Sequence, residues 1–211
     1  MWPVLLAVLL STAPTKPGSG AEPLMTKVVA RNVSPSVPRD SFAAQPKTFY
    51  RSGTRYGRVE EAPDREHGIH GLFVVDEPKA WMINLATKTG RTIVDPGPTF
   101  VFHAPIILRN KGEKAPPLLE FGLEPEFLKE HAATASKVTV GKREHAALTA
   151  TVEGYRVTLL TDPSSKTPRR ITVEREGKVV CEYEYLEHRR DLPLQPELFS
   201  PPEGIALSEA R

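Results

Sequence analysis

The sequence predicts a mainly β fold, a curved antiparallel sheet that forms an incomplete barrel with one or two covering helices. Proline accounts for 21 of the 211 residues, and proline is excluded from helix interiors and from central strands. Short apolar or alternating runs recur about every 8–12 residues, and each ends at Gly, Pro or Asp turn signals, as in a meander of hairpins. Only residues 118–133 show apolar residues at a convincing helical spacing.

The first half of the chain predicts strands joined by tight turns. Residues 24–33 are expected to be a strand or an extended arm. The run GLFVVD at 71–76 is continuously apolar, which is typical of a strand buried on both faces. An apolar extended segment is expected at 99–108. The other strands expected in this half are 46–52, 55–62, 80–86 and 91–95.

The second half predicts one helix and a further set of hairpins. Pro125 suits the first turn of a shorter helix over 124–131, because a first-turn proline loses no helical hydrogen bond. The strands expected after it are 136–140, 145–153, 155–161, 168–175 and 178–186. In the last of these, alternation places Val179, Cys181, Tyr183 and Tyr185 on one face and Val180, Glu182 and Glu184 on the other.

Composition and motifs argue against several functional classes. The 28 basic and 26 acidic residues give a formal charge of +2, without the clustered basic face that nucleic-acid binding needs. A single cysteine rules out an internal disulfide and any multi-cysteine metal site. Serine-nucleophile, zincin and phosphate-loop motifs are missing from the sequence. We therefore expect a chain that is not an enzyme and that uses no cofactor or metal.

The N-terminal residues resemble an export signal. The apolar run at 4–10 is too short to span a bilayer and has the length of a signal-peptide core, and Ser19-Gly20-Ala21 supplies small residues for cleavage. No basic residue precedes the run, so a buried N-terminal strand or helix is the alternative. The expected organisation is a signal peptide at 1–21, an extended arm or strand at 22–45 and one domain at 46–211, in a periplasmic or secreted protein.

Two stretches of the sequence carry recognisable motifs. The first runs from YRSGTRYGRVEE, which begins at Tyr50, to LFVVDEPKAWMINLATKTGRTIVD, which ends at Asp95. The second covers 157–205 and ends in LFSPPEGI, where Phe199, Pro201, Pro202 and Gly204 form an F.PP.G pattern. Both stretches resemble the periplasmic lipoprotein-localisation-factor family, the LolA/LolB-like superfamily of outer-membrane lipoprotein-sorting proteins, whose terminal signature is F.PP.G. The family's opening amphipathic helix has no counterpart in residues 22–45.

The resemblance implies an open antiparallel half-barrel, helices over its open side and an apolar cleft that carries lipoprotein acyl chains or other lipids. Burying an acyl chain would contribute about 0.8 kcal/mol per methylene. His103 is a candidate polar anchor for a headgroup. The candidate lining residues are Phe49, Trp81, Ile83, Leu85, Phe100, Phe102, Leu119, Phe127, Val157 and Tyr183. Periodicity shows which of them share a face, so ordinary core packing remains the alternative for each.

Two further clusters can be interpreted either as ordinary surface residues or as functional sites. Glu66, His67 and His70 form an HxxH pattern that could bind a metal, but no third ligand follows nearby, which favours polar loop residues. The basic residues at 169–170 and 188–190 are expected to be a solvated rim or a docking point for an acidic partner. The predicted function is a periplasmic binding module or chaperone for a lipid or lipoprotein acyl chain. The alternative is a non-enzymatic interaction protein of the envelope with the same fold, no ligand cavity and a protein partner.

Overall fold

The computed structural model describes residues 23–95, 97, 101–108 and 116–209. The expected signal peptide and the lining candidate Phe100 lie outside the described residues. None of the helices in the described ranges is both long enough and apolar enough to cross a membrane. The described strands are β1 (Leu24–Asn32), β2 (Lys47–Ser52), β3 (Tyr56–Glu61), β4 (Gly71–Asp76), β5 (Lys79–Asn84), β6 (Thr89–Val94), β7 (Thr134–Val140), β8 (Arg143–Val152), β9 (Tyr155–Thr161), β10 (Pro168–Arg175), β11 (Lys178–Pro193) and β12 (Ala206–Glu209).

One α-helix, α1 (Glu124–Glu130), interrupts this series, and 3-10 turns occur at Phe42–Ala44 and Pro196–Phe199. The strands follow the order β12-β6-β5-β4-β3-β2-β1-β11-β10-β9-β8-β7 in a single sheet. Over the described residues this order is open, with β12 and β7 at its two ends. The predicted fold class, mainly β with an unclosed sheet and a covering helix, is confirmed.

Most strand positions agree with the sequence pattern to within one or two residues. Residues 24–32 form a strand of the sheet, and α1 has Pro125 in its first turn, as the shorter predicted helix requires. In β4, Leu72 and Val74 are buried on one face and Val75 on the other, as expected for a strand covered on both sides.

Three features of the sheet differ from expectation, and the first is that β11 ends at Pro193 rather than at residue 186. Residues 101–108, which were expected to form an apolar extended segment, belong to no strand and make one isolated bridge, Pro105 to Glu120. Phe102 and Ile106 are apolar because they are buried as covering residues. The sequence does not predict β12, because its four residues are all exposed and lack an alternating pattern. It pairs parallel to β6, whereas the sequence predicts an antiparallel sheet throughout.

The chain forms two compact units, and each is built from separated segments. Unit 1 contains the described residues up to Lys27, Pro46–Ala104 and those from Arg189 onward. Unit 2 contains Val28–Gln45 and Pro105–His188. β1 and β11 therefore each supply residues to both units.

Candidate ligand-binding faces

One face of the unit 1 sheet carries three of the lining candidates. Trp81 lies opposite Val74 and Ile83 opposite Leu72 in the β4–β5 register, so all four side chains share a face. They form a buried cluster with Met25 and Phe199, and Leu85 packs against it partly buried. We call this the Phe199 face.

The chain's own C-terminal segment covers the Phe199 face. Phe199 is fully buried at the end of its 3-10 turn, and its ring centroid lies 5.2 Å from that of Tyr56. Arg58 of β3 donates from Nη1 to the Leu198 carbonyl at 3.1 Å and from Nη2 to Glu60 Oε2 at 2.9 Å. Phe199 therefore packs beside Trp81 and Ile83, and its 3-10 turn is tethered to the sheet by a charge-assisted hydrogen bond from Arg58.

The opposite face of the same strands carries Phe49, which lies opposite Val59, and Arg51, which lies opposite Gly57. Phe102 lies on this surface, which we call the Phe102 face. A Cβ added to Gly57 would be 2.1 Å from the Phe102 ring. Only glycine allows this close approach, because any side chain at position 57 would occupy the space of the ring.

Polar contacts hold Phe102 in place over Gly57. Its N–H donates to the Thr54 carbonyl at 3.0 Å. The buried Arg51 donates from Nη2 to the Phe102 carbonyl at 3.4 Å, and its guanidinium carbon lies 5.7 Å from the ring centroid. His103 follows, 8% exposed. The polar-anchor candidate is thus buried next to a lining candidate, within unit 1.

In unit 2, Val157 and Tyr183 share a face of the sheet, since Val157 lies opposite Val173 and Tyr183 opposite Ile171. Phe121 covers this face, with its ring edge-on to Tyr183 at a centroid separation of 5.0 Å. We call it the Phe121 face. The candidates Leu119 and Phe127 belong to the same covering stretch and are 0% and 7% exposed.

A polar cluster is buried beside the Phe121 face. Glu124, the first residue of α1, is 0% exposed. Its Oε1 accepts hydrogen bonds from the Tyr185 hydroxyl at 2.7 Å and from the Gly122 N–H at 3.0 Å, and its Oε2 lies 3.4 Å from His188 Nε2. Burial and the neighbouring Glu124 charge raise the pKa of Tyr185 well above its usual value. The cluster ties α1 to β11 and is enclosed, so it is not arranged to receive a substrate.

The sequence does not predict this cluster. It places His188 in a solvated basic rim, and this is wrong because His188 is buried against Glu124. Tyr185 and His188 are three residues apart in β11, so regular alternation would place them on opposite faces. Both contact Glu124, which shows that β11 departs locally from a regular strand. Glu124 itself looks like an ordinary acidic residue in the first turn of a helix.

The single cysteine lies in the interior of unit 2. Cys181 is 9% exposed, and burial raises its pKa to about 12. At neutral pH the thiol is protonated, and a protonated thiol is a poor nucleophile.

The HxxH histidines have different acidic neighbours. His67 Nδ1 lies 2.8 Å from Asp64 Oδ2, and His70 Nε2 lies 3.2 Å from Glu60 Oε1. Over the described ranges, no three His, Cys, Asp or Glu side chains are grouped as a metal site would require.

A polar groove of about 680 Å³ borders the loop after β1 in unit 2. Arg31 Nε donates to Glu184 Oε2 at 2.7 Å, and Arg170 Nη1 lies 3.7 Å from Glu182 Oε1. Arg39 lines the same groove. The arginines and glutamates alternate across neighbouring strands. The sequence does not predict this arrangement, because it needs the fold to bring β1, β10 and β11 together.

The lining candidates thus fall on three surfaces. Trp81, Ile83 and Leu85 lie on the Phe199 face, and Phe49 and Phe102 on the opposite side of the same strands. Leu119, Phe127, Val157 and Tyr183 lie in unit 2. On each surface a phenylalanine from the same unit is packed onto the sheet.

No family model matches this chain, and no curated protein matches it. Solved structures with a similar fold include an uncharacterized conserved protein from Thermus thermophilus, with a TM-score of 0.46 and 12% identity over 88% of this chain and 90% of that one. A complex of MucA and MucB from Pseudomonas aeruginosa gives 0.37 and 12% over 84% of this chain and 56% of that one. A domain assigned to outer membrane lipoprotein sorting from Vibrio parahaemolyticus gives 0.36 and 10% over 84% and 88%.

Proposed function

We propose that this chain is a non-enzymatic interaction module of the cell envelope that binds a partner protein on its outer surface. The observation that carries the proposal is that an aromatic ring of the chain itself covers each face bearing lining candidates. Phe199 and Phe102 do so in unit 1, and Phe121 does so in unit 2. A periplasmic or secreted location rests on the expected signal peptide.

The buried polar groups support a structural rather than a catalytic role. Glu124 is fully enclosed with Tyr185 and His188, and Cys181 has a raised pKa. Catalytic groups must reach a substrate with matched pKa values. Charged side chains with solvent access lie instead on outer surfaces such as the Arg31–Glu184 groove, where they can contribute to partner recognition.

Site-specific photo-crosslinking in the source organism tests this proposal. A photoreactive amino acid would be placed at Arg39 in the polar groove, Thr139 on β7 and Leu207 on β12, which are all exposed. A matched set at Lys166 and Glu176, both in exposed turns, serves as control. We expect one discrete protein adduct from at least one of the first three positions and none from the controls. Absence of any discrete adduct would contradict the proposal.

The second candidate function is the carriage of a lipid or lipoprotein acyl chain, and the Phe102 face favours it. There a single side chain lies over Gly57, and residues 101–104 belong to no strand. Displacement of the Phe102 ring would open an apolar surface beside Phe49, with Arg51 and His103 close to it.

Titration with a fluorescent fatty acid separates the two functions. If the chain is a carrier, wild-type protein takes up the probe saturably, and Phe102→Ala takes up more because the ring no longer fills the site. Phe121→Ala, which removes a fully buried ring in unit 2, controls for general loosening of the core. Equal and negligible uptake by all three proteins would exclude the carrier and leave the interaction module.

A further inference from the structure

We infer that β7 is the docking edge for an extended, acidic segment of a partner protein, which adds to the sheet as a further strand. This inference rests on the proposed interaction function, because it names where and by what chemistry a partner binds. Strand addition of this kind uses main-chain hydrogen bonds for affinity and alternate side chains for specificity.

β7 is an open edge. It ends the strand order and pairs with β8 in an unbroken register from Thr134–Thr149 to Val140–Arg143. All seven of its residues are exposed. In the described ranges no other strand pairs with its outer side, so within them its outward N–H and C=O groups have no strand partner.

The two end strands of the sheet, β7 and β12, differ in length. At the other end, the chain's own β12 adds to β6, and β12 is only four residues long. Proteins usually protect an edge by short length, proline, bulges or charged side chains. β7 has seven residues, no proline and no bulge, and it carries one charged residue, Lys137. It therefore keeps the length and regularity that strand addition needs.

The charges around β7 favour an acidic partner. Residues 134–144 are exposed throughout, and they contain Lys137, Lys142 and Arg143 against the single acid Glu144. Glu144 is paired with Lys137, with 3.0 Å between Oε1 and Nζ. Lys142 and Arg143 thus leave an excess of positive charge at one end of the hairpin, which complements an acidic segment.

A second copy of this chain fits the edge less well. Antiparallel pairing of two β7 strands about their central residue would place Lys137 directly opposite Lys137 of the other copy. Like charges in directly opposed positions destabilise a strand pair. The edge therefore discriminates against self-association in that register.

The side chains of β7 also predict the pattern of the partner strand. Val138 and Val140, which are 38% and 40% exposed, point to one face, and Lys137 and Thr139 point to the other. Since side chains alternate along a strand, a matching segment would alternate apolar with acidic residues.

The test uses ¹⁵N-labelled full-length chain and two acetylated, amidated seven-residue peptides. One alternates valine with glutamate, and the other alternates valine with lysine. We expect the acidic peptide to shift the amide signals of 134–140, to slow their hydrogen exchange and to bind about fivefold more tightly than the basic one. Lys137→Glu should abolish that preference, because residues 134–144 would then carry two basic and two acidic side chains. The control Lys178→Glu, on an exposed residue of β11, should preserve it.

Other outcomes overturn the inference. Equal binding of both peptides, shifts that map away from β7, or concentration-dependent dimerisation through β7 would each do so. The crosslinking experiment tests the interaction function and the docking site on β7 separately. A partner adduct from Arg39 or Leu207 without one from Thr139 would leave the interaction function standing and refute docking on β7.

Discussion

Removal of the Tyr185 hydroxyl tests whether the buried Glu124 cluster stabilises unit 2. In Tyr185→Phe, Glu124 Oε1 keeps the Gly122 N–H at 3.0 Å but loses the hydroxyl at 2.7 Å, in a site with no solvent to replace it. A hydrogen bond to a charged group contributes about 1.5–3 kcal/mol. We therefore expect the free energy of unfolding to fall by about 2–3 kcal/mol.

Urea denaturation followed by far-UV circular dichroism measures this loss. Tyr155→Phe is the matched control: Tyr155 is also buried, but its hydroxyl accepts a longer, 3.3 Å hydrogen bond from Arg175 Nη1. We expect this control to lose about 1 kcal/mol or less. Glu124→Gln combined with Tyr185→Phe should be less damaging than the sum of the two single changes, because both remove parts of one contact. Equal losses for the two tyrosine variants, or simple additivity, would refute the reasoning.

Three other changes have defined outcomes. Gly57→Ala should lower the free energy of unfolding by about 1–3 kcal/mol, because the new methyl group displaces the Phe102 ring. Adding Phe102→Ala to this variant should relieve that loss. Thermal melts measure the effect, and Gly97→Ala, where no atom lies within 4 Å, is the control. Phe199→Ala should lose about 3–5 kcal/mol in urea, since it empties a fully buried site; a loss below about 1 kcal/mol would contradict its core role. Because burial raises the pKa of Cys181 from 9.0 to about 12, stability that is fully present below pH 9 should fall by about 1 kcal/mol between pH 9 and 10. Cys181→Ala should remove that loss, and an unchanged loss would refute it.

Local patterns predicted the strands well because each strand is specified by its own alternation and turns. The strands β4 and β9 illustrate this, and so does the helix α1. In each of the three, the apolar positions and the bounding Gly or Pro residues are close together in sequence. The sequence did not predict β12, because its position depends on pairing with the edge of β6 rather than on apolar residues of its own. Residues 102–107 are mostly apolar because they are buried, although they belong to no strand, and the sequence does not distinguish such a segment from a buried strand.

The candidate site was harder to predict, because sharing a face depends on register between strands. Alternation correctly placed Trp81 with Ile83 and Val157 with Leu159. Alternation could not predict that Phe49 points to the other side of the unit 1 strands, or that Phe199 fills the space beside Trp81. Tyr185 and His188 converge on Glu124 only because β11 is locally irregular, which the sequence does not reveal.

The assignment of β1 and β11 to both units has a consequence for biosynthesis. Unit 1 needs Met25 from the beginning of the chain and Phe199 from near its end for one cluster. A ribosome must therefore have synthesised the chain as far as Phe199 before this cluster can close, and neither unit can be isolated by a single cut in the gene. Pairings between such distant residues slow folding, so the nascent chain must remain unaggregated for an extended period before it reaches its native state.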